Sequence, residues 1–287
     1  MNKVNEETKS SFLSLYLKNS LQMGKVHTLF KNSLNIEFPV GLVHVGQVGM
    51  PLSPFGCLIK PAAYKQLYAH CQPGDLVRFK NGKLVFYTQS SVLEIELDTF
   101  SEINLSIPTL TITSSELKSN LFYQTIEKAK YHFLLETGLP MTDRIRDGLL
   151  SLTEVQEDKK KVQDEEMIRL LIGRGIGLTP SGDDILIGYT FARTLFDKAK
   201  KWKIKVDTAL KEKKTTAISE AYFKCLLEGY INENFLHLTQ LFTINDEKKI
   251  TNEIDALKQF GHTSGIDTLY GFALGLQYVQ KEWGKES

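Results

Sequence analysis

The chain has 287 residues, of which 42% are hydrophobic and 24% are charged, and its formal net charge is +1 at pH 7. This length accommodates one large or two ordinary domains, and the balanced charge gives no reason to expect nucleic acid or an acidic membrane as a partner. No stretch reaches the roughly 18 apolar residues of a membrane span, and the N-terminus lacks a secretory signal. Three widely spaced cysteines, Cys57, Cys71 and Cys225, favour reduced thiols. We therefore expect a cytoplasmic protein.

The first 110 residues carry mainly strand patterns. A helix is expected first, over residues 6–22, because apolar residues from Phe12 to Leu21 recur at helical spacing. Asn81-Gly82 predicts a hairpin turn, and Pro61–Cys71 predicts a helix that begins at a proline. Short β-branched or aromatic runs predict strands at Val26–Lys31, Leu34–Phe38, Leu42–Val45, Gly56–Ile59, Leu76–Phe79, Leu84–Thr88, Val92–Leu97 and Ile103–Ile107. A β-rich sheet or small barrel is expected.

From Ser114 onward the pattern is helical. The predicted helices are Ser114–Glu136, Asp143–Leu152, Asp164–Ile172, Asp183–Lys198, Thr216–Tyr230, Phe235–Phe242, Ile250–Phe260 and Asp267–Trp283. The sequence therefore predicts the α+β class, with a β-rich N-terminal domain over 1–110 and an α-helical domain over 111–287.

Two copies of one helix start occur in the helical half, IGRGIGLTPSGDDILIGYTFA at 172–192 and GHTSGIDTLYGFALGL at 261–276. With Pro180 treated as an insertion, the alignment pairs Gly177 with Gly261, Thr179 with Thr263, Ser181 with Ser264, Gly182 with Gly265, Asp184 with Asp267 and Gly188 with Gly271. The first N–H groups of a helix lack internal partners and carry partial positive charge. Glycine and hydroxyl groups at such an end favour a phosphate or carboxylate ligand.

A purely structural interpretation is also open. Ser181 with Asp184, and Ser264 with Asp267, have the spacing of capping boxes, which would satisfy the helix amides internally. The later glycines of each copy would let two helices pack closely. Glycine in the first turn of both copies, where helix propensity opposes it, favours a ligand site.

The acids Asp183, Asp184 and Asp267 would repel an anion, and three alternatives remain. They cap and point away, they hold a divalent cation such as Mg²⁺, or they accept hydrogen bonds from an amide NH₂ group. The cofactor is therefore unknown. His262, inside the second copy, is either a ligand-facing base or a structural residue. Thr216 and Ser219, with Glu233 beyond them, form either an ordinary helix cap or a third wall of the same pocket.

The segments GRGIGLTPSGDDILIG, TTAISEAYFKCLLEGYINE and GHTSGIDTLYGFALG, in this order, resemble a bacterial family. It includes the AllH-type subunit associated with oxamate carbamoyltransferase in anaerobic purine and allantoin breakdown. The resemblance implies carbamoyl transfer between carbamoyl phosphate and an amide such as oxamate, together with other subunits. Such transfer depends chiefly on positioning and charge stabilisation.

The resemblance also implies roles for the site residues. The anionic end of the ligand would be bound by Gly177, Thr179, Ser181, Gly182, Thr263, Ser264 and Gly265. Asp183, Asp184 and Asp267 would orient the NH₂ group or a cation and carry the chemistry, and Thr216, Ser219 and Glu233 would contribute second. A non-catalytic subunit that binds small anions or acts as a scaffold for a partner enzyme is the alternative function, and a repeat that only caps and packs helices is the third.

Overall fold

The computed structural model describes residues 6–17, 21–155 and 157–286. The chain forms two compact units, one made of Met1–Ser106 with Tyr230–Leu236 and the other of Ile107–Gly229 with His237–Ser287. The first unit therefore also contains a short segment from late in the chain. Within the described ranges, no helix has both the length and the apolar character needed to cross a membrane.

The first unit is built on a nine-stranded sheet that curls into a half-barrel. The strands are β1 Thr8–Ser10, β2 Gln22–Leu29, β3 Ser33–Phe38, β4 Gly41–Gln47, β5 Gly56–Ile59, β6 Leu76–Lys80, β7 Lys83–Tyr87, β8 Val92–Glu96 and β9 Ser101–Ile103. Their order is β8-β7-β6-β2-β3-β4-β5-β1-β9. The α+β class predicted from the sequence is confirmed.

Pairing within the sheet is mostly antiparallel, with β4 and β5 parallel and β1 and β9 parallel. The predicted hairpin joins β6 and β7, where Lys80 pairs with Lys83. Asn81 and Gly82 both adopt positive φ angles, 50° and 72°, as a two-residue turn with the twist of its strands requires. The core of the unit consists of apolar side chains from most strands and from α2, Pro61–His70, among them Leu34, Ile36, Val43, Val45, Tyr64, Val77, Leu84 and Phe86.

The start of the chain differs from the sequence prediction. A strand, β1, precedes a short helix, α1 Ser11–Tyr16, where one helix over residues 6–22 was expected. Thr8 pairs with both β5 and β9, so its backbone bonds are made between strands. The Ser10 side chain then accepts a hydrogen bond from Phe12 N at 3.1 Å and caps the helix. Residues 18–20 of the predicted helix lie outside the described residues.

The second unit is helical. Its helices are α3 Ser114–Ser119, α4 Leu121–Glu136, α5 Asp143–Ser151, α6 Glu157–Leu171, α7 Ser181–Leu195, α8 Lys200–Glu212, α9 Ala217–Leu227, α11 Leu238–Leu241, α12 Glu247–Lys258 and α13 Ser264–Glu286, while α10, Glu233–Leu236, belongs to the first unit. The predicted helix Ser114–Glu136 is broken at Asn120, whose side chain caps α4 by accepting from Tyr123 N at 3.2 Å. This local bond competes with continuation of the helix.

Two helices, α7 and α13, pack against each other in the second unit. Every residue of α7 except Thr194 is buried, including the charged residues Asp183, Asp184 and Arg193. A Cβ on Gly188 would lie 1.9 Å from the carbonyl oxygen of Thr268, and a Cβ on Gly271 would lie 1.9 Å from that of Ile185. Ile185 and Thr268 occupy equivalent positions in the two copies. The predicted close packing at the glycines is therefore confirmed, and the sequence repeat corresponds to a local twofold arrangement.

Candidate functional site

The glycines in the first turns of α7 and α13 are packing positions. A Cβ on Gly182 would lie 2.2 Å from the carbonyl oxygen of Leu171, at the end of α6. A Cβ on Gly265 would lie 2.0 Å from the carbonyl oxygen of Leu257, in α12. Because both obstacles are backbone atoms, neither can be relieved by a rotamer change, and both positions require glycine. The repeat thus includes the helix that precedes each copy.

The backbone amides of the two first-turn glycines are already engaged. Gly182 N donates to the carbonyl oxygen of Arg174 at 2.8 Å, and Gly265 N donates to that of Phe260 at 3.0 Å. The amides of the next two residues of α7 donate to the carbonyl oxygen of Pro180, at 2.9 and 3.2 Å. The expected anion site on the amides of Gly182 and Gly265 therefore does not fit the structure, because these donors have internal partners.

The loop before α7 also differs from the alignment of the two copies. Since Arg174 and Phe260 accept equivalent bonds, Gly175 and not Gly177 takes the position of Gly261. Gly175 has a φ of 121° and approaches Ser181 N, whereas the Cβ position of Gly177 has nothing within 4 Å. The first copy therefore has three extra residues, and Gly177 lies in a protruding loop beside Ile176, which is 89% exposed.

The capping boxes, the alternative interpretation of the sequence, are not formed. The residue that caps α7 is Pro180, without a side-chain bond, and Ser181 is the first helical residue. Ser264 is likewise the first residue of α13. Instead, hydroxyl groups meet across the two copies. Thr179 Oγ1 lies 2.8 Å from Ser264 Oγ, and a Cβ on Gly138 would lie 2.6 Å from both Ser181 Oγ and Thr263 Oγ1.

Asp184 and Asp267 lie within this cluster of hydroxyls and are buried, with exposures of 5% and 0%. Burial raises the pKa of Asp184 well above its usual value, the nearby carboxylate of Asp267 adds to the rise, and the hydroxyls of Ser264 and Thr179 oppose it. Burial also raises the pKa of Asp267, opposed by the hydroxyls of Thr137, Ser181 and Thr263. Each acid thus lies beside a threonine of its own copy and the serine of the other.

Each of these two acids keeps one oxygen without a hydrogen bond. Asp184 Oδ2 and Asp267 Oδ2 are buried and have no partner among the described residues. Asp267 Oδ1, by contrast, accepts from the Thr137 hydroxyl and from Gly138 N, the latter at 3.1 Å. A buried polar atom without a partner is costly. Two such atoms on paired acids indicate a place where a proton or a polar ligand is bound.

The third acid, Asp183, is fully engaged in holding the local structure. It accepts from Gly173 N at 2.8 Å and from the Thr215 hydroxyl. Burial raises its pKa, and the hydrogen bonds from Thr215, Gly173 and Ser219 and the charge of Lys213 oppose the rise. Asp183 therefore ties α7 to the loops on either side and does not belong to the pair with free oxygens.

The remaining predicted residues lie apart from the pair. Thr216 caps α9 by accepting from Ser219 N at 3.1 Å, and its hydroxyl donates to the carbonyl oxygen of Leu178, so it braces the first loop. Ser219 is buried beside Asp183. His262 is exposed. Glu233 belongs to the first unit, where it accepts from Leu52 N at 2.9 Å.

Sequence reasoning missed Thr137 and Gly138, which complete the site at Asp267. In the sequence, Thr-Gly-Leu-Pro after α4 has only the pattern of a helix end. Nothing in that pattern connects it to a helix start about 130 residues later. Within the described residues, no group of three or more His, Cys, Asp or Glu side chains is arranged to hold a metal ion.

Two family models match the chain. One, described as oxamate carbamoyltransferase subunit AllH, matches residues 171–276, and the other, described as the AllH family N-terminal domain, matches residues 6–102. The chain belongs to the AllH family. The first match begins at the end of α6 and ends within α13, so it contains both copies of the repeat. The family description names a subunit of oxamate carbamoyltransferase, and this name implies a multi-protein complex. No solved structure matches the chain.

Proposed function

We propose that this AllH-family chain binds the amide substrate of a carbamoyltransferase and takes part in carbamoyl transfer between carbamoyl phosphate and a small carboxylated amide such as oxamate. The proposal includes a place in purine or allantoin degradation and the participation of other subunits. The observation that carries it is the pair Asp184 and Asp267, two buried acids that face hydroxyls of both helix starts and each keep one oxygen without a partner.

The chemistry of the cluster matches an amide that also carries a carboxylate. An amide NH₂ group donates hydrogen bonds, which a carboxylate oxygen of the pair accepts. The carbonyl and carboxylate oxygens of the ligand accept hydrogen bonds, which the hydroxyls of Thr179, Ser181, Thr263 and Ser264 donate. These groups are close together in the structure, as the 2.8 Å separation of the Thr179 and Ser264 oxygens illustrates.

Phosphate is a poorer match for this cluster. Proteins bind phosphate through cations and free backbone N–H groups. The acids would repel it, and the amides of Gly182 and Gly265 already have carbonyl partners. We therefore assign the cluster to the amide and leave the phosphate of carbamoyl phosphate to groups outside it.

In the proposed reaction, the amide nitrogen attacks the carbamoyl carbon of carbamoyl phosphate. A nitrogen–carbon bond forms, the bond from that carbon to the phosphate oxygen breaks, and phosphate leaves with the electron pair. The nitrogen loses one proton, which an ionised carboxylate of the pair accepts as a general base. Burial contributes here, because an acid with a raised pKa is a stronger base once ionised.

Calorimetric titration of the purified chain tests this function. Oxamate, carbamoyl phosphate and phosphate are added with and without Mg²⁺, to wild type and to Asp184→Asn and Asp267→Asn. Oxamate should bind to wild type, and Asp267→Asn should weaken binding at least about tenfold, the cost of one hydrogen bond to a charged group. Asp255→Asn is the matched control, because Asp255 is an exposed acid whose side chain pairs with Lys258. Equal binding of oxamate by all four proteins would refute the proposal.

The burial of both acids also favours the second candidate, a subunit that binds the amide without catalysing its reaction. Turnover distinguishes the two. If the chain alone, or reconstituted with its partner subunits, loses carbamoyl transfer when Asp267→Asn is introduced while binding of the partners is unchanged, the residue acts in the chemistry. If the reconstituted complex that carries Asp267→Asn still catalyses carbamoyl transfer, the chain only binds the amide or supports its partner subunits.

A further inference from the structure

The twofold arrangement of the site is broken at one place, the segment Thr137–Gly138 after α4. Its hydroxyl and its amide both donate to Asp267 Oδ1. Asp184, the equivalent acid, receives no backbone N–H from any described residue and lies only beside the hydroxyls of Ser264 and Thr179. Two acids that the repeat makes equivalent therefore have different hydrogen-bond surroundings.

Gly138 fits closely against two hydroxyl groups because it lacks a side chain. Its Cβ position lies 2.6 Å from Ser181 Oγ and 2.6 Å from Thr263 Oγ1. These are the two hydroxyls that flank Asp267. The segment thus closes one side of the cluster, and it lies between the two stretches matched by the family models.

The different surroundings decide which acid carries a proton. Two donated hydrogen bonds stabilise the ionised form of a carboxylate. Two buried carboxylates near each other do not both ionise readily, so the proton is held by the one with fewer donors. Asp184 has two donors, the hydroxyls of Ser264 and Thr179. Asp267 has more, the hydroxyls of Thr137, Ser181 and Thr263 and the amide of Gly138. Two other charged groups act near the pair: Asp183, which also disfavours a charge on Asp184, and Lys213, whose charge lowers the pKa of Asp183.

We infer that Thr137 and Gly138 determine specificity: they keep Asp267 as the acceptor for an amide NH₂ group and leave Asp184 as a proton donor to a carboxylate, so that a small amide acid binds in one orientation. The inference rests on the proposed function, since it concerns the same site. It selects a class of ligand with one amide and one carboxylate, H₂N–CO–COO⁻, over the diacid or the diamide. Thr137 acts through Asp267 and is a positioning residue.

The order of protonation is tested without ligand. Titration of ¹³C-labelled aspartate carboxyl groups by NMR, assigned with Asp184→Asn and Asp267→Asn, should show Asp267 ionising at lower pH than Asp184. Thr137→Val removes the donor and should move the titration of Asp267 towards that of Asp184, whereas Thr137→Ser should restore it. Thr194→Val is the matched control, because the Thr194 hydroxyl donates to Thr190 O within α7. If Asp184 ionises first, or if Thr137→Val changes neither titration, the inference is wrong.

The choice of ligand is tested by calorimetry with oxamate, oxalate and oxamide. Wild type and Thr137→Ser should bind oxamate about tenfold or more tightly than the other two, and Thr137→Val should lose most of this preference. Retention of the full preference in Thr137→Val would overturn the inference. If none of the three compounds binds while the titration behaves as expected, the proposed function fails and the assignment of the proton to Asp184 stands.

Discussion

The substitution Gly188→Ala is expected to destabilise the second unit, although alanine is the better helix former. The new Cβ would lie 1.9 Å from Thr268 O, 2.8 Å from Phe272 N and 2.9 Å from Thr268 C. All three are backbone atoms of α13, so the two helices have to separate. Ordinary contact begins at 3.4 Å, so the required shift is about 1.5 Å.

The expected magnitude follows from two opposing effects. Replacing glycine by alanine inside a helix contributes roughly 1 kcal/mol of stability. Overpacking a core costs about 1–3 kcal/mol, and the upper part of that range applies because the obstacle is backbone. The free energy of unfolding should therefore fall by about 1–2 kcal/mol. Gly271→Ala, which meets Ile185 O at the same 1.9 Å, should cost a similar amount.

Urea unfolding followed by tryptophan fluorescence measures this effect in the second unit, because both tryptophans, Trp202 and Trp283, lie in it. The double variant should lose less free energy of unfolding than the two single variants together, since one separation of the helices relieves both clashes. Gly284→Ala is the control in α13. Nothing lies within 4 Å of its Cβ position, so it should not destabilise the unit. If Gly188→Ala is as stable as wild type, the close packing of α7 and α13 described above is wrong.

Three further substitutions test other contacts. Burial raises the pKa of Asp184 above its value of about 3.9 in the unfolded chain. The folded state therefore loses stability as the pH rises through the folded-state pKa. Asp184→Asn should increase the urea midpoint at pH values above that pKa and change it little near about pH 4. Gly138→Ala places a Cβ against two rotatable hydroxyls. Oxamate affinity should therefore fall at least about tenfold, while the unfolding midpoint changes little. Equal affinity of the variant and wild type would contradict the position of Gly138. Thr216→Ala removes the cap of α9 and should lower the free energy of unfolding by about 1 kcal/mol, measured by the same fluorescence assay.

Much of the fold follows from local sequence patterns. The hairpin at Asn81-Gly82 is formed as predicted, because both residues tolerate a positive φ. The change from strand to helix spacing near residue 110 predicted the α+β class, and the two helix starts predicted that α7 and α13 resemble each other. These features depend on residues close together in the sequence.

The rest depends on contacts between distant residues. Ser181 and Asp184 have the spacing of a capping box, but Pro180 occupies the cap position and frees both side chains to reach α13. Asp267 obtains its donors from Thr137 and Gly138, which no local pattern relates to it. Residues 6–10 were predicted as part of a helix because the pairing of Thr8 with β5 and β9 is not visible in their own spacing.

A crystal structure of the chain soaked with oxamate tests the central proposal most directly. The proposal predicts oxamate between α7 and α13, with its nitrogen at hydrogen-bond distance from Asp267 and its carboxylate facing Asp184. Oxamate bound elsewhere on the chain, with Asp184 and Asp267 in unchanged surroundings, would contradict it.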